Sequence, residues 1–281
     1  MSYGKLFLVG TPIGNLKDIT LRALDTLKSV DIIAAEDTRQ SIKLLNYFEI
    51  KKPLISYHKF NEMERGEEII RKIKDGKSVA IITDAGMPGI SDPGSVVASK
   101  CIDEGIKFEV IPGVTAAITA LVYSGLDTTG FIFKGFLPRE NKDRKEFIED
   151  IIDRRETLIF YEAPHRLKKT LSFMKENLGN RRISICRELT KLHEQILRYS
   201  MDDAICYYEN NEPKGEFVLI VEGKSLEDIE KENQKIWEEL TIEEHIKKYI
   251  SEGLSKKDAI KKTSKDRGLP KSEVYRYSLD I

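Results

Sequence analysis

The sequence has few of the residues that build metal centres and disulfide frameworks. Its 281 residues include three cysteines and four histidines. Cys101, Cys186 and Cys206 lie far apart and form no C-x-x-C pair. This spacing excludes a disulfide framework and a zinc site of the common kinds, and it indicates a reducing compartment. We therefore expect three unpaired thiols and no metal ion.

Long hydrophobic runs and an excess of one charge are missing as well. The apolar run Leu6 to Val9 stops at Gly10, too early for a signal peptide, and no later run approaches the length of a bilayer crossing. The formal net charge is −1, so a nucleic-acid-binding surface must be a local patch. These absences predict a cytoplasmic protein without a membrane partner. The 40% of hydrophobic residues are enough for a substantial core.

The pattern G-x-x-x-x-G-K-[ST] of nucleoside-triphosphate cradles is also absent. In its place stands TDAGMPGISDPG, residues 83–94, directly after the apolar run Val79 to Ile82. So much glycine and proline excludes regular structure, and glycine lets the backbone approach a ligand closely. The loop carries Asp84 and Asp92 but no lysine. It therefore favours a neutral or partly cationic ligand over a polyanion.

In the first half of the chain, short β-branched apolar runs alternate with amphipathic stretches of helical spacing. This rhythm predicts βαβ units and a doubly wound, mostly parallel sheet. The predicted strands are 6–9, 31–35, 54–57, 79–83 and 108–111, and the predicted helices are 21–29, 41–48, 63–74, 95–104 and 114–124.

The rhythm changes after residue 126, where several strands follow one another without a helix between them. This predicts a second α/β domain with a mixed sheet. Its predicted strands are 131–136, 157–161, 183–187, 195–199 and 216–221, and its predicted helices are 142–154, 167–177 and 201–210. We expect domains at 1–126 and 127–223 with the ligand cleft between them, followed by a small helical tail at 224–281.

The composition of the tail differs from that of the body. Residues 226–244 are acidic and helix-prone, whereas residues 255–279 are mostly basic. Ser255 can cap a helix, Gly268 can end it and Pro270 can open another. Two interpretations stay open: a helix-turn-helix and a solvated helical tail.

Four further segments lie where predicted strands end. They are VGTPIGNLKDIT (9–20), AAEDTR (34–39), IPGVTAA (111–117) and LIFYEAPHR (158–166). Ligand binding accounts for each of them, but an ordinary strand-to-helix turn or a surface ion pair does so too. Taken singly, these segments leave both interpretations open.

Taken in order, the segments resemble the tetrapyrrole methylase superfamily, and most closely its ribosomal RNA small subunit methyltransferase I family. GFLPR (135–139) and KGEFVLIVEG (214–223) extend the resemblance over residues 5–223, and the basic tail resembles the family's C-terminal helix-turn-helix. The resemblance implies a homodimer that acts on small-subunit ribosomal RNA. Its reaction would transfer a methyl group from S-adenosylmethionine to the ribose 2′-hydroxyl of a cytidine in the decoding region.

The resemblance also implies where the cofactor binds. By matching position, it lies between the two α/β domains against Ile13, Asp84, Ala85, Gly86, Ile90, Thr115, Ala116, Tyr161, Leu189 and Glu216. A catalytic base is not implied. Methyl transfer to a weakly acidic hydroxyl needs in-line placement and a group that takes the proton. Our first hypothesis is Glu36 or Asp37, with Arg39 as orienter or phosphate clamp, and our second is the group Glu162, His165 and Arg166.

Two other classes of function stay open. The first is a tetrapyrrole C-methyltransferase, although the first loop reads GTPIG where porphyrin-modifying relatives carry a G-x-G-P-G form. The second is a nucleic-acid binder without enzymatic activity, whose α/β body senses a metabolite.

Overall fold

The computed structural model describes residues 3–229, 237, 240–279 and 281. It contains two compact units, one formed by residues 1–151 and 156–222 and the other by residues 152–155 and 223–281. Both α/β sheets belong to the first unit. The division of that unit into domains at residue 126 stays a prediction.

The first sheet is parallel throughout, as predicted. Its strands are β1 (Leu6–Val9), β2 (Ile32–Ala35), β3 (Leu54–Ser56), β4 (Val79–Ile82) and β5 (Phe108–Ile111), in the order β3-β2-β4-β1-β5. All four residues of β4 are buried, because the central strands of a parallel sheet are covered on both faces. The apolar run Val79 to Ile82 therefore lies at the centre of the first sheet.

Helices connect these strands. They are α1 (Leu21–Ser29), α2 (Thr38–Tyr47), α3 (Glu62–Lys74), α4 (Ser95–Asp103) and α5 (Ala116–Ser124), with a 3-10 turn at Leu16–Asp18. Helix α2 begins three residues before its predicted start, because the Asp37 side chain accepts from the backbone N–H of Arg39 and caps the helix. Helix α5 begins two residues later than predicted, after an extended Thr115.

The second sheet is mixed, which confirms the other half of the predicted fold class. Its strands are β6 (Phe131–Phe136), β7 (Thr157–Glu162), β8 (Arg182–Arg187), β9 (Gln195–Ser200) and β10 (Phe217–Val221), in the order β6-β7-β10-β8-β9. Only β6 and β7 pair in parallel; the other neighbours are antiparallel. The helices are α6 (Asn141–Ile151), α7 (Pro164–Leu178) and α8 (Met201–Asn210). Helix α7 starts three residues early, with proline at its first position.

The second unit includes the helices α9 (Ile242–Ser251), α10 (Lys256–Asp266) and α11 (Lys271–Arg276), and residues 226–229 are helical as well. Ser255 caps α10 and Pro270 precedes α11, as the sequence predicts. Trp237 and His245 stack at 3.8 Å between ring centroids within the small core. Much of the predicted acidic helix at 226–244 lies outside the described residues, at 230–236, 238 and 239. No helix in the described ranges is long and apolar enough to cross a membrane.

A candidate cofactor cavity in the first unit

The loops that follow β1 and β4 are joined at the carboxyl edge of the first sheet. Thr11 N donates to Gly86 O at 2.8 Å, and Gly86 N donates to Thr11 O at 3.1 Å. Gly86 has a φ of +81°, a conformation that side-chain-bearing residues rarely adopt. We expected the loop glycines to bring free backbone groups to a ligand. At Gly86 both polar groups are already paired with Thr11, so this glycine also shapes the loop, and its contact with a ligand stays a prediction.

A second pair of glycines lets the loops after β1 and β5 touch. A Cβ atom built on Gly10 would lie 2.8 Å from Gly113 Cα, which is closer than real Cβ contacts. The two loops therefore depend on glycine for their close approach. This packing brings Thr115 and the start of α5 beside the loop after β4.

These loops and the second sheet enclose a cavity of about 390 Å³. Its apolar wall includes Ile13, Ile90, Leu189 and Val218, and its aromatic side consists of Phe136 and Tyr161. The Phe136 and Tyr161 rings meet edge to face with centroids 5.8 Å apart. Burial raises the pKa of Tyr161. The cavity thus offers flat apolar surfaces on one side.

All ten residues predicted to bind the cofactor line this cavity. Leu189 and Glu216 come from distant parts of the sequence and are brought to it by the loop after β8 and by the residue preceding β10. Several lining residues were not among those predicted: Met87, Ser91, Phe136, Ala163, Pro164, Cys186, Gly215, Phe217 and Val218. Phe136 lies in the GFLPR motif and Phe217 in KGEFVLIVEG, so the motifs held a signal for both.

Three of the acidic side chains in the lining, Glu36, Asp84 and Asp92, lie close enough to influence one another. Burial raises the pKa values of Glu36 and Asp84. Burial raises the pKa of Asp92 to about 7, and the charges of Glu36 and Asp84 add to the effect. Asp84 N donates to Glu36 at 3.4 Å, and Asp37 N donates to Asp84 at 3.2 Å. Crowded carboxylates of this kind favour a positive charge in the cavity.

The AAEDTR segment separates into residues with different surroundings. Glu36 lines the cavity, whereas Asp37 and Arg39 are not among the lining residues. The Arg39 guanidinium donates to both Asp37 carboxylate oxygens, at 3.1 and 2.8 Å. These hydrogen bonds lower the pKa of Asp37 to about 2. So acidic a group is a poor proton acceptor, which leaves Glu36 as the candidate base of this segment.

The YEAPHR segment holds a buried network. Glu162 lines the cavity, but its carboxylate accepts from Ala163 N at 2.8 Å and from the Thr170 hydroxyl at 2.5 Å. Arg166 lies 3.4 Å from the same carboxylate and donates to Leu137 O at 2.6 Å. His165 is exposed and outside the cavity lining. These contacts favour a structural role for Glu162 and Arg166 over proton transfer.

The chain matches known methyltransferases over most of its length. The family model described as Tetrapyrrole (Corrin/Porphyrin) Methylases matches residues 5–205. Ribosomal RNA small subunit methyltransferase I of Bacillus subtilis (strain 168) is 50% identical over 272 residues, which are 97% of this chain and 93% of that protein. The protein of the same name from Thermotoga maritima is 46% identical over 221 residues, 79% of this chain and 99% of that protein.

A solved structure shows the same fold. Uroporphyrin-III-C-methyltransferase from Thermus thermophilus superposes with a TM-score of 0.57 at 21% identity, over 77% of this chain and 94% of that chain. The protein belongs to the tetrapyrrole methylases, and within them to the ribosomal RNA small subunit methyltransferase I family. Membership confirms the family predicted from the motifs, and with it S-adenosylmethionine as the cofactor of a methyltransferase.

Proposed function

We propose that this protein methylates small-subunit ribosomal RNA, at the ribose 2′-hydroxyl of a cytidine in the decoding region. Relatives that are 50% and 46% identical to this chain are named for ribosomal RNA small subunit methylation. The nucleotide and the 2′-oxygen come from the sequence resemblance. The observation that carries the proposal is the cavity, where all ten residues predicted to bind the cofactor, Asp84 among them, line the same space as Glu36 and Asp92.

The cavity fits S-adenosylmethionine on two physical grounds. The cofactor carries a positive sulfonium, and Glu36, Asp84 and Asp92 supply negative charge where burial disfavours it. Its adenine needs apolar side chains to pack against, and Ile13 and Leu189 supply these in the lining. When bound, the cofactor supplies an electrophilic methyl group. Gly86, with its left-handed backbone, maintains the shape of the loop that carries Asp84.

Within this proposal, Glu36 accepts the proton of the ribose hydroxyl. It stands at the end of β2, is half-buried and has a raised pKa, which makes it a stronger base than an ordinary carboxylate once it is ionised. Asp37 and Arg39 hold each other beside it and fix the start of α2. The exposed Arg39 side chain then contacts an RNA phosphate.

The second unit is proposed to hold the RNA. On α11 only Val274 is buried, so Lys271 and Arg276 are free of the small core. On α10 the basic residues Lys257, Lys261 and Lys265 are exposed. Such cations suit phosphate contacts and release counterions on binding. We also propose that the protein works in the cytoplasm as a homodimer, as the resemblance implies.

The test is methyl transfer from labelled S-adenosylmethionine to assembled small subunits, naked ribosomal RNA or a precorrin. We expect label in the ribosomal RNA, on one cytidine whose 3′ linkage resists alkali, because a methylated 2′-oxygen cannot attack the phosphate. Label on a base would contradict the 2′-hydroxyl, and label in the precorrin would favour a tetrapyrrole C-methyltransferase. RNA binding without any transfer would favour a binder that senses a metabolite.

A further inference from the structure

The loop Tyr57–Asn61, here called the β3 loop, begins directly beside the candidate base. Strand β3 pairs with β2, with Ser56 opposite Ala35, and Tyr57 N donates to Ala35 O at 2.8 Å. Glu36 is the next residue after Ala35. The His58 ring is near enough to Glu36 for its protonated form to lower the pKa of that carboxyl against the effect of burial. The β3 loop is therefore a neighbour of the reacting side of the cavity.

Hydrogen bonds hold the β3 loop in one conformation. Asn61 Oδ1 accepts from His58 N at 2.8 Å, and Asn61 N donates to His58 O at 2.9 Å. Tyr57 is 1% exposed and its hydroxyl contacts Glu62 at 3.3 Å. The same Glu62 oxygen accepts from Gly94 N at 3.1 Å, at the end of the TDAGMPGISDPG loop. The β3 loop is thus fixed to the loop that carries Asp84 and Asp92.

On this rigid loop the Phe60 side chain is 97% exposed. Burial of a phenylalanine stabilises a protein, and the free protein lacks that contribution from Phe60. The adjacent Lys59 is also exposed. An aromatic face beside a cation, held by a rigid loop, is the arrangement that binds unpaired nucleotides through stacking and phosphate contact.

The His58 ring in the β3 loop has a nitrogen without a hydrogen-bond partner in the described part of the chain. Because Asn61 Oδ1 accepts from His58 N, Asn61 Nδ2 is the donor that faces His58 Nε2 at 3.3 Å. His58 Nε2 therefore accepts, and in the neutral ring the proton is on Nδ1. That Nδ1 is buried and has no hydrogen-bond partner within the described part of the chain. Neighbouring atoms cover Nδ1, so a ligand reaches it only after the His58 ring shifts. An unpaired buried donor is costly, which favours that shift when a ligand supplies the acceptor.

We propose that the β3 loop receives the target nucleotide of the RNA, with its base stacked on Phe60 and one of its oxygens accepting from His58 Nδ1. This inference rests on the proposed function. Phe60 then sets the position of the nucleotide, and Lys59 contacts the adjoining phosphate. The stacked nucleotide lies at the Glu36 side of the cavity, where its ribose hydroxyl meets the proton acceptor.

Phe60 is tested by steady-state kinetics with small subunits and by calorimetry with S-adenosylmethionine. We expect Phe60→Ala to raise KM for the ribosomal substrate about 5- to 100-fold, the effect of losing one stacked base, with cofactor affinity unchanged. Phe60→Trp should retain KM within about threefold and Phe60→Leu should not, because stacking requires a ring. Tyr47→Ala is the matched control, since Tyr47 is 62% exposed at the far end of α2.

Fluorescence of Phe60→Trp reports stacking directly. A single-stranded RNA with the target sequence should quench it beyond the change seen in the wild type, whose one tryptophan gives the background. If the wild type methylates ribosomal RNA but Phe60→Ala has a normal KM, the stacking inference fails while the proposed function stands. If the wild type methylates no RNA, the proposed function itself fails.

His58 has a separate test that distinguishes ligand binding from loop structure. Asparagine places its amide N–H near the position of His Nδ1, whereas glutamine places it near Nε2. We therefore expect His58→Asn to retain most of the turnover and His58→Gln to lose about tenfold or more, with both folded by circular dichroism. Better rescue by His58→Gln would show that only the contact with Asn61 matters and would overturn the role of Nδ1.

Discussion

At the scale of single residues, Asp92 lies in a cavity where burial and neighbouring charges disfavour its ionised form. Burial and two neighbouring carboxylates raise the pKa of Asp92 to about 7. A carboxyl whose pKa is higher in the folded protein than in the unfolded chain lowers the free energy of unfolding as the pH rises between the two values. This loss is absent below about pH 4 and complete near pH 8.

We expect Asp92→Asn to raise the melting temperature at pH 8 by about 2–6 °C, or roughly 1–2 kcal/mol, because it removes a disfavoured charge. The gain should shrink by more than half at pH 5, where the wild-type carboxyl is protonated in the folded state. Calorimetry at the two pH values measures both. Asp103→Asn, at an exposed position outside the cavity lining, is the control. A destabilised Asp92→Asn protein at pH 8 would contradict the assignment.

The same substitution has a functional readout. A cationic ligand favours the ionised form of Asp92, so wild-type affinity for S-adenosylmethionine should increase between pH 6 and pH 8. Asp92→Asn should bind more weakly at pH 8 and should lack that increase. Equal pH dependence in the two proteins would place the positive charge of the cofactor elsewhere.

Substitution of Glu36 should reduce turnover much more than it changes cofactor affinity. We expect Glu36→Gln to reduce turnover on the order of 100-fold or more and to change cofactor affinity much less, because it removes the proton acceptor. In the wild type the rate should rise with pH through the raised pKa of Glu36, since only the ionised carboxylate accepts a proton. A Glu36→Gln enzyme with full turnover would exclude Glu36 as the base.

At the scale of secondary-structure elements, the start of α7 depends on the buried carboxylate of Glu162. Thr170, in the second turn of the helix and 1% exposed, donates to that carboxylate. We expect Thr170→Val and Glu162→Gln each to lower the free energy of unfolding by about 1–3 kcal/mol, because each disturbs a buried hydrogen bond or ion pair. Denaturant titration measures the loss, with turnover at low temperature close to normal. A Glu162→Gln enzyme of wild-type stability and 100-fold lower turnover would make Glu162 the base instead.

At the scale of the whole molecule, the second unit should serve RNA binding and not chemistry. The Thermotoga maritima relative aligns over 99% of its length with 79% of this chain, so about a fifth of this chain has no counterpart there. A chain ending at Lys224 keeps the contact of Lys224 with Asp153, at 2.6 Å, and removes α9 to α11. It provides a test of the two interpretations of the basic tail.

We expect the shortened protein to bind S-adenosylmethionine with nearly unchanged affinity and to bind ribosomal RNA more weakly. The slope of log affinity against log salt should fall by about one unit for each RNA phosphate that the shortened protein fails to neutralise. Binding titrations at several salt concentrations measure this slope. A lower melting temperature or a change in oligomeric state, with RNA binding intact, would instead favour a packing role for the tail.

Local patterns determined the elements of this protein and the ends of several of them. The apolar run Val79 to Ile82 became a central strand, and Ser255 and Pro270 mark helix starts where their side-chain chemistry places them. Such features depend on neighbours a few residues away, so periodicity and capping chemistry are sufficient to predict them. The missed starts of α2 and α7 came from a cap and a proline that were present in the sequence.

The relations between distant residues were decided only by tertiary structure. Ile13, Leu189 and Glu216 share a cavity because two sheets bring their loops together, and no local period encodes that meeting. The motif AAEDTR does not show how its two acids differ. In the folded protein, burial raises the pKa of Glu36, and the ion pair with Arg39 lowers the pKa of Asp37. The position of Tyr57, at the start of the β3 loop, next to the end of β2 likewise follows from the pairing of β3 with β2. Burial and charge at a site are collective properties of the packed chain, so they appear only once it has folded.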